Sequence, residues 1–402
     1  MQTAAPEEVG FSSKRLGRLD DVMQGYVDAG MLAGIVTMLV RRGKVFHFKP
    51  FGLMDIYAVK PVELDTIFRI YSMSKPITSA AVMMLYEEGA FHLDEPVSRF
   101  IPELADLKVF AGMSQKGKRL VDPDRPISIR HLLTHTSGLS YGSYVDTPVD
   151  DMYRSTAARD PDDNLQGFIE RIAEIPLAYQ PGTSWRYSVA TDVLGRLVEV
   201  ISGRTFDQYL KDSIFEPLGM PDTAFYVPEE KLDRLASIYG PAIGGGMQEL
   251  DTPGVNQHRR PLTMFSGGGG LVSTASDYMR FCQMMLNGGT LDDVRLLGPK
   301  TVELMTINHL SDDLMPYSVS EAGVTGTQGC GFGLGFRVVI DLAQHGILGS
   351  EGMYSWGGAA STVFWIDPKE ELVAILMTQF MPSGQYPIRR EFQVATYQAM
   401  VD

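Results

Sequence analysis

The chain has 402 residues, enough for a sizeable core and, by length alone, for two or three domains. Its 35 Lys and Arg stand against 49 Asp and Glu, a net charge of −14 that disfavours nucleic acid or anionic lipid as a partner and fits small neutral or cationic ligands. No run of eighteen apolar residues occurs, the stretch MQTAAPEEVGFSSK lacks the apolar core of a signal peptide, and the two cysteines form no CxxC pair. The expectation is a cytoplasmic protein with no membrane partner and idle thiols.

Ser12 and Ser13 precede a helical pattern of Leu16, Leu19, Val22, Met23 and Tyr26 that closes near Gly30. AGIVTMLVRRGKVFHFKPFGLMD reads as two strands around a turn at Arg42 and Gly43. An extended TIFRIY follows, and then a helix with Ile77, Ala81, Met84 and Leu85 on one face, capped at Gly89. From there to about residue 300 the pattern is mostly helices between long loops: ISIRHLL with Ser128 as N-cap, TDVLGRLVEVISG stopped by Gly203, and TASDYMRFCQMMLNGG. The last hundred residues return to strands, read as GFGLGFRVVI, GILGSEGMYS, VFWI and ELVAILMTQF, before a final helix PIRREFQVATYQAM. Strands at both termini with helices between them predict an α/β (α+β) fold with one antiparallel sheet built from both chain ends and flanked by helices. The expected division is a discontinuous sheet domain, 1–85 with 300–402, and a helix-rich insertion, 86–299, with the active site in the cleft between them.

YSMSKPIT places Ser72 and Lys75 three residues apart at a helix start, on one face, so that Oγ and Nζ can meet. Pro76 costs nothing there, because backbone N–H groups of a first turn are free of intrahelical partners. Those N–H groups and the positive helix end favour an oxyanion and disfavour an ammonium. For Lys75 to act as a base near neutrality its pKa must fall by roughly 3 units, on the order of 4 kcal/mol, which burial against an apolar face can supply. An S-x-x-K spacing also arises by chance, so two further stretches matter. PGTSWRYSVATDVLG puts Tyr187 between a glycine-containing loop and an amphipathic helix, where a packing role is the plain alternative. WGGAAST, Trp356 to Thr362, sets two glycines ahead of a small-residue strand, read as an edge strand that needs close backbone approach or whose N–H groups line a substrate.

In this order the three stretches resemble the serine β-lactamase and penicillin-binding-protein superfamily, and most of all the family VIII carboxylesterases, which share the class C β-lactamase fold. The resemblance spans nearly the whole chain and includes RHLLTHTSGL, FSGGGGLVSTASDYMRF and GFGLGF. It implies that Ser72 is acylated, that Lys75 takes its proton, and that Tyr187 shuttles a proton to and from the leaving group. The backbone N–H groups of Ser72 and Ala359 would form the oxyanion hole. Two departures stand out: Val189 occupies the asparagine position of the Y-x-N element, and Trp356-Gly357-Gly358 replaces the K-T-G or H-T-G triad. Losing a charge-assisted contact to a substrate carboxylate costs about 1.5–3 kcal/mol, so β-lactams should bind poorly and neutral esters better. The expectation is a carboxylesterase that needs no cofactor and no metal and acts on a small-molecule ester with a short acyl chain. Trp356, Gly357, Gly358 and Tyr141 would line the substrate. β-Lactamase or acyltransferase activity is the alternative within the superfamily, and a non-catalytic binder the alternative outside it.

Gly138-Leu139-Ser140-Tyr141-Gly142 matches the G-x-S-x-G elbow, but its approach has helical spacing and its exit, SYVDTPVDD, reads as a loop, the reverse of what that motif needs. His131 and His135 are spaced like a zinc pair, yet Leu132 stands where a metalloprotease glutamate belongs, so both are expected to be structural. The run Gly267–Gly270 has no phosphate-loop lysine and reads as a tight turn.

Overall fold

The computed structural model describes residues 2–115, 117–143, 147–156, 163–250, 256–315 and 327–402. Its centre is a nine-stranded sheet: β1 (Gln2–Thr3), β2 (Gly34–Arg41), β3 (Lys44–Asp55), β4 (Lys60–Pro61), β5 (Cys330–Phe332), β6 (Arg337–Val339), β7 (Tyr354–Gly357), β8 (Val363–Asp367) and β9 (Leu372–Thr378). The order across the sheet is β1-β3-β2-β9-β8-β7-β6-β5, with β4 on β3, so β2 and β9 join the two chain ends along the register Ile35 with Thr378 to Arg41 with Leu372. The expected class C β-lactamase-like arrangement is present, with one change. The sheet is mixed, because β1 runs parallel to β3, pairing Gln2 with Lys44 and Thr3 with Val45. A two-residue strand is too short to leave an alternation signal.

All eight residues of β2 and all seven of β9 are buried, as a strand covered on both faces requires. Successive residues of β8 show the two layers. Phe364 packs on Tyr278 of one helix (α4, Ala275–Leu286) with ring centroids 5.0 Å apart, and Trp365 packs on Phe392 of another (α5, Ile388–Tyr397) at the same separation. Helix α1 (Ser13–Asp28) lies beside α5, where the Tyr26 hydroxyl donates to Glu391 at 2.8 Å; Ser12 caps α1 by accepting from Arg15 N–H. Helix α2 (Ser74–Glu87) buries eleven of its fourteen residues, with α3 (Ala190–Ser202) packed along it.

Three expectations are corrected. GFGLGFRVVI is two strands, because Gly333–Phe336 turns back on itself with Gly333 N–H donating to Phe336 C=O at 2.7 Å. A Cβ at Gly335 would stand 2.2 Å from Ser79 Oγ, so this turn presses on α2 and only glycine fits there. GILGSEGMYS is mostly irregular; a left-handed Gly346 ends a short helix at His345 and the strand begins at Tyr354. β7 is not an edge strand, since β6 and β8 flank it, although pairing with β6 stops at Ser355 and leaves Trp356 and Gly357 beyond that ladder. The middle of the chain also carries hairpins beside its helices, including Val109–Ser114 with Gly117–Val121. No helix among the described residues is long and apolar enough to cross a membrane.

Candidate functional site

Ser72 sits in a single 3-10 turn, Tyr71–Met73, that runs straight into α2. Tyr71 has φ 43°, a left-handed conformation that a bulky residue adopts only when its surroundings enforce it. Several contacts do so. Ile70 N–H donates to Leu271 C=O at 3.1 Å, Leu271 N–H to Ser74 Oγ at 3.2 Å, and the Tyr278 hydroxyl to Met73 C=O at 2.9 Å. The turn is thereby pinned from α4 and from the strand Val272–Ser273, which pairs with Phe68–Arg69.

Lys75 follows on the first turn of α2 and is 1% exposed. Its Nζ lies 3.3 Å from Ser72 Oγ, 2.9 Å from the Tyr141 hydroxyl and 2.5 Å from Gly268 C=O. It also stands 4.5 Å from the ring centre of Tyr187 and 5.3 Å from that of Tyr141. The expected meeting of Ser72, Lys75 and Tyr187 therefore exists as geometry. Tyr187 is buried among aromatic rings: Tyr141 at 5.2 Å, His135 at 4.9 Å, Trp356 at 5.5 Å and a stacked Trp185 at 6.2 Å. Its hydroxyl accepts from Trp356 Nε1 at 3.3 Å, which ties the phenol to β7. Burial pushes the His135 imidazole well below the usual histidine range, so the ring beside Tyr187 is neutral.

The glycine run, expected as a plain turn, supplies part of the site. Asp192, on the first turn of α3, accepts from Gly268 N–H at 3.1 Å and from Ser266 Oγ at 2.5 Å, and Thr78 Oγ1 donates to Gly267 C=O at 2.9 Å. Those bonds aim the Gly268 carbonyl at Lys75. The backbone must come so close that a Cβ at Gly268 would lie 2.8 Å from Asp192 Oδ2 and 2.9 Å from the Tyr141 hydroxyl. Nothing in the sequence spacing announces this role; the signal is four glycines where a turn needs two. Tyr141, expected only as a pocket wall, has its hydroxyl on the lysine.

Trp356 is 4% exposed and Gly357 and Ala359 are partly exposed. Gly358 touches the backbone just before Ser72: a Cβ there would lie 2.5 Å from Ile70 C=O. Glycine at this position lets the end of β7 approach the backbone that leads into the Ser72 turn.

The rival motifs resolve into structural roles. Ser140 is 2% exposed and donates to Asp150, which also accepts from Thr147 Oγ1 at 2.5 Å and pairs with Arg186 at 2.8 Å. The exit from the elbow-like motif is partly helical, since Pro148–Ser155 forms a helix, while residues 144–146 lie outside the described residues. His131 caps the helix Ile129–Leu133 by accepting from Ser128 N–H at 3.2 Å, and His135 Nδ1 pairs with Ser188 Oγ at 3.2 Å. Among the described residues no cluster of three or more metal-ligating side chains occurs.

A family model described as Beta-lactamase matches residues 19–398. An uncharacterised protein of Mycobacterium tuberculosis is 38% identical over 359 residues, 88% of each chain. Esterase EstB of Burkholderia gladioli is 30% identical over 409 residues, covering 96% of each. Among solved structures, EstCE1, described as a hydrolase with promiscuous acyltransferase activity, superposes with a TM-score of 0.82 at 27% identity, covering 96% of this chain and 99% of its own. The match from α1 to the end of α5, on a sheet shared by both chain ends, means that this chain belongs to the beta-lactamase family.

Proposed function

We propose that the protein is a carboxylesterase of the family VIII type, cleaving esters with short acyl chains through an acyl-enzyme on Ser72. The observation that carries this reading is the buried Lys75 amine between Ser72 Oγ and two phenols. A neutral amine has two N–H donors and one lone pair. The two shorter contacts, to Gly268 C=O and to the Tyr141 hydroxyl, use the donors, and the lone pair then faces the Ser72 hydroxyl.

In the reaction so assigned, Ser72 Oγ bonds to the ester carbonyl carbon as its proton passes to Lys75. The carbonyl oxygen, now negative, is held by the N–H groups of Ser72 and Ala359. The Lys75–Tyr187 couple returns the proton to the departing alkoxide, and the C–O bond to the alcohol breaks. Water then attacks the acyl carbon, gives a proton to the same couple, and releases the acid with Ser72 restored. Trp356 and Tyr141 give an apolar wall suited to neutral esters. The site draws Tyr141, Tyr187 and Gly268 from the middle of the chain and Trp356 from its last third, which supports a cleft between a sheet unit (1–85 with 300–402) and a helix-rich unit (86–299).

Turnover of 4-nitrophenyl butyrate by wild type and Ser72→Ala tests the assignment, together with mass spectrometry after a phosphonate inhibitor. The expected adduct is on the peptide that holds Ser72, with activity lost in the variant; equal rates from both proteins would overturn it. Acyl transfer is the second reading, favoured by the described activity of EstCE1. The two differ only in the nucleophile that reaches the acyl-enzyme, so product ratios with and without an added alcohol separate them.

A further inference from the structure

The two glycines that follow Trp356 sit between an arginine and the Ser72 turn. The Arg389 guanidinium, from the first turn of α5, lies so close that a Cβ at Gly357 would stand 3.0 Å from its central carbon. A Cβ at Gly358 would stand 2.5 Å from Ile70 C=O, the carbonyl that accepts Met73 N–H at 3.0 Å and so closes the turn holding Ser72. A terminal nitrogen of Arg389 donates to Gly358 C=O, the one hydrogen bond this guanidinium makes among the described residues. That carbonyl belongs to the same peptide unit as Ala359 N–H, the second donor expected for the oxyanion. Neither Ala359 N–H nor Ser72 N–H donates a hydrogen bond among the described residues, so both donors are uncommitted. The chain around them is already held without the arginine: Gly358 C=O also accepts Ser361 N–H at 3.2 Å, Ala359 C=O accepts Ser383 N–H at 3.0 Å, and Ala360 C=O accepts Phe380 N–H at 3.1 Å. Fixing this turn therefore does not call for a buried cation, which costs desolvation. Burial and the charge of Arg337 bring the Arg389 guanidinium down to about 10, so it is still a cation at neutral pH.

We propose that Arg389 is a positioning residue for the oxyanion hole, holding the Gly358–Ala359 peptide by its carbonyl and strengthening Ala359 N–H as a donor. The inference rests on the esterase reading and deepens it. A peptide whose C=O takes a charge-assisted hydrogen bond is polarised toward its own N–H, and hydrogen bonds in such a chain reinforce one another. The gain is largest when the substrate carbonyl oxygen carries negative charge, so it falls on the transition state more than on the bound ester. Removing one donor from a hole of this kind costs about 10²–10³ in kcat; Arg389 weakens a donor without removing it, so its loss should cost about 10–100-fold. Gly357 then makes room for the guanidinium, and Gly358 for the turn that carries Ser72.

The test compares wild type with Arg389→Met, Arg389→Lys and Arg389→Gln, each checked by its circular dichroism melt. With 4-nitrophenyl butyrate, Arg389→Met is expected to lower kcat by about 10–100-fold with KM within about threefold, and Arg389→Lys to return to within about fivefold of wild type. Arg389→Gln keeps an N–H donor without the charge and should fall between them; it carries the comparison if the methionine variant does not fold. The second readout is phosphorus NMR after a 4-nitrophenyl butylphosphonate ester, in which Ser72 Oγ bonds to phosphorus, 4-nitrophenolate leaves and the phosphoryl oxygen takes the oxyanion position. The adduct resonance is expected to move by more than its linewidth in Arg389→Met and to move back in Arg389→Lys. A fall in activity and melt with an unmoved resonance would reduce Arg389 to structural support, and an unchanged kcat would overturn the proposal while the esterase reading stands. A displaced pH profile with an unmoved resonance would overturn it in favour of an action on Tyr187, whose charge acts on the same guanidinium. A Ser72 adduct whose resonance responds as expected, with no ester turnover in wild type, keeps the role of Arg389 and sinks the esterase reading; no adduct on Ser72 sinks both.

Discussion

The Tyr141 hydroxyl is 2.9 Å from Lys75 Nζ, closer than the 3.3 Å that separates the same nitrogen from Ser72 Oγ. Two phenols therefore flank the amine, one by its oxygen and one by its ring face. They should not be equivalent. Tyr187→Phe removes the oxygen that Trp356 holds in place and is expected to lower kcat by roughly 10²–10⁴-fold, the usual size of a general acid–base contribution. Tyr141→Phe removes one acceptor of a lysine proton and should lower kcat by about tenfold with KM nearly unchanged. Steady-state kinetics on 4-nitrophenyl butyrate measure both; a larger loss in Tyr141→Phe would reverse the assigned roles.

Asp192 acts on the lysine through the glycine loop. It receives Gly268 N–H and Ser266 Oγ, and that pair of bonds fixes where the Gly268 carbonyl points. Asp192→Ala leaves both donors buried and should cost about 1–3 kcal/mol of stability together with much of the activity. Gly268→Ala keeps those donors but drives a methyl against Asp192 and Tyr141, so activity should fall about a hundredfold with a smaller change in the urea midpoint. Paired denaturation and kinetic measurements distinguish loss of fold from loss of aim. Similar stability losses in the two variants would contradict this division of labour.

How much of this was legible beforehand follows from what each residue's role depends on. Ser72 and Lys75 are three apart on one helix, so their meeting is a local fact of helical geometry that spacing reveals. The two central strands are continuous, mostly apolar runs, which the sequence pattern also reveals. Tyr187 could be reached only through resemblance, because its approach to Lys75 is a tertiary event across more than a hundred residues. The Gly268 carbonyl left no trace beyond the run of four glycines, since a backbone acceptor has no side chain to pattern. Glycines misled in the last hundred residues: apolar neighbours made GFGLGF look extended, whereas Gly335 bends it against Ser79.

Acid sensitivity follows from imidazoles buried in neutral form. His135 is held well below 6.5, and burial brings His47 and His345 down to about 4. Each binds a proton more readily unfolded than folded, so its contribution is complete above about pH 6.5 and is lost as pH falls below that. Asp277 acts oppositely: burial raises it to about 6, so the folded state holds its proton more tightly and this contribution grows as pH falls through 6. From these four groups alone, unfolding near pH 5 should take up about two protons, a slope of about 3 kcal/mol per pH unit. Urea unfolding at pH 7.5, 6 and 5 measures it. His135→Phe should reduce the uptake by about one proton, and an unchanged slope in that variant would show that His135 is not the group that titrates.

Ser140 offers the sharpest contrast with Ser72, because both are serines within motifs of hydrolases and they face opposite demands. The Ser140 hydroxyl donates to Asp150, and the same carboxylate ties down Thr147 and Arg186. The residue is 2% exposed and its hydroxyl points into a satisfied network, so no base needs to reach it and no ester can. Ser140→Ala takes one donor from a fully buried carboxylate that keeps its arginine, which should cost about 1–3 kcal/mol of stability. Hydrolysis should stay within threefold of wild type at a temperature well below the melt, and the phosphonate adduct should still form on Ser72. Ser72→Ala should do the reverse, removing turnover while leaving the urea midpoint nearly where it was, since a partly exposed hydroxyl contributes little to the fold. Loss of labelling in Ser140→Ala with a native melt would transfer the nucleophile to Ser140 and, with it, the chemistry to a different motif.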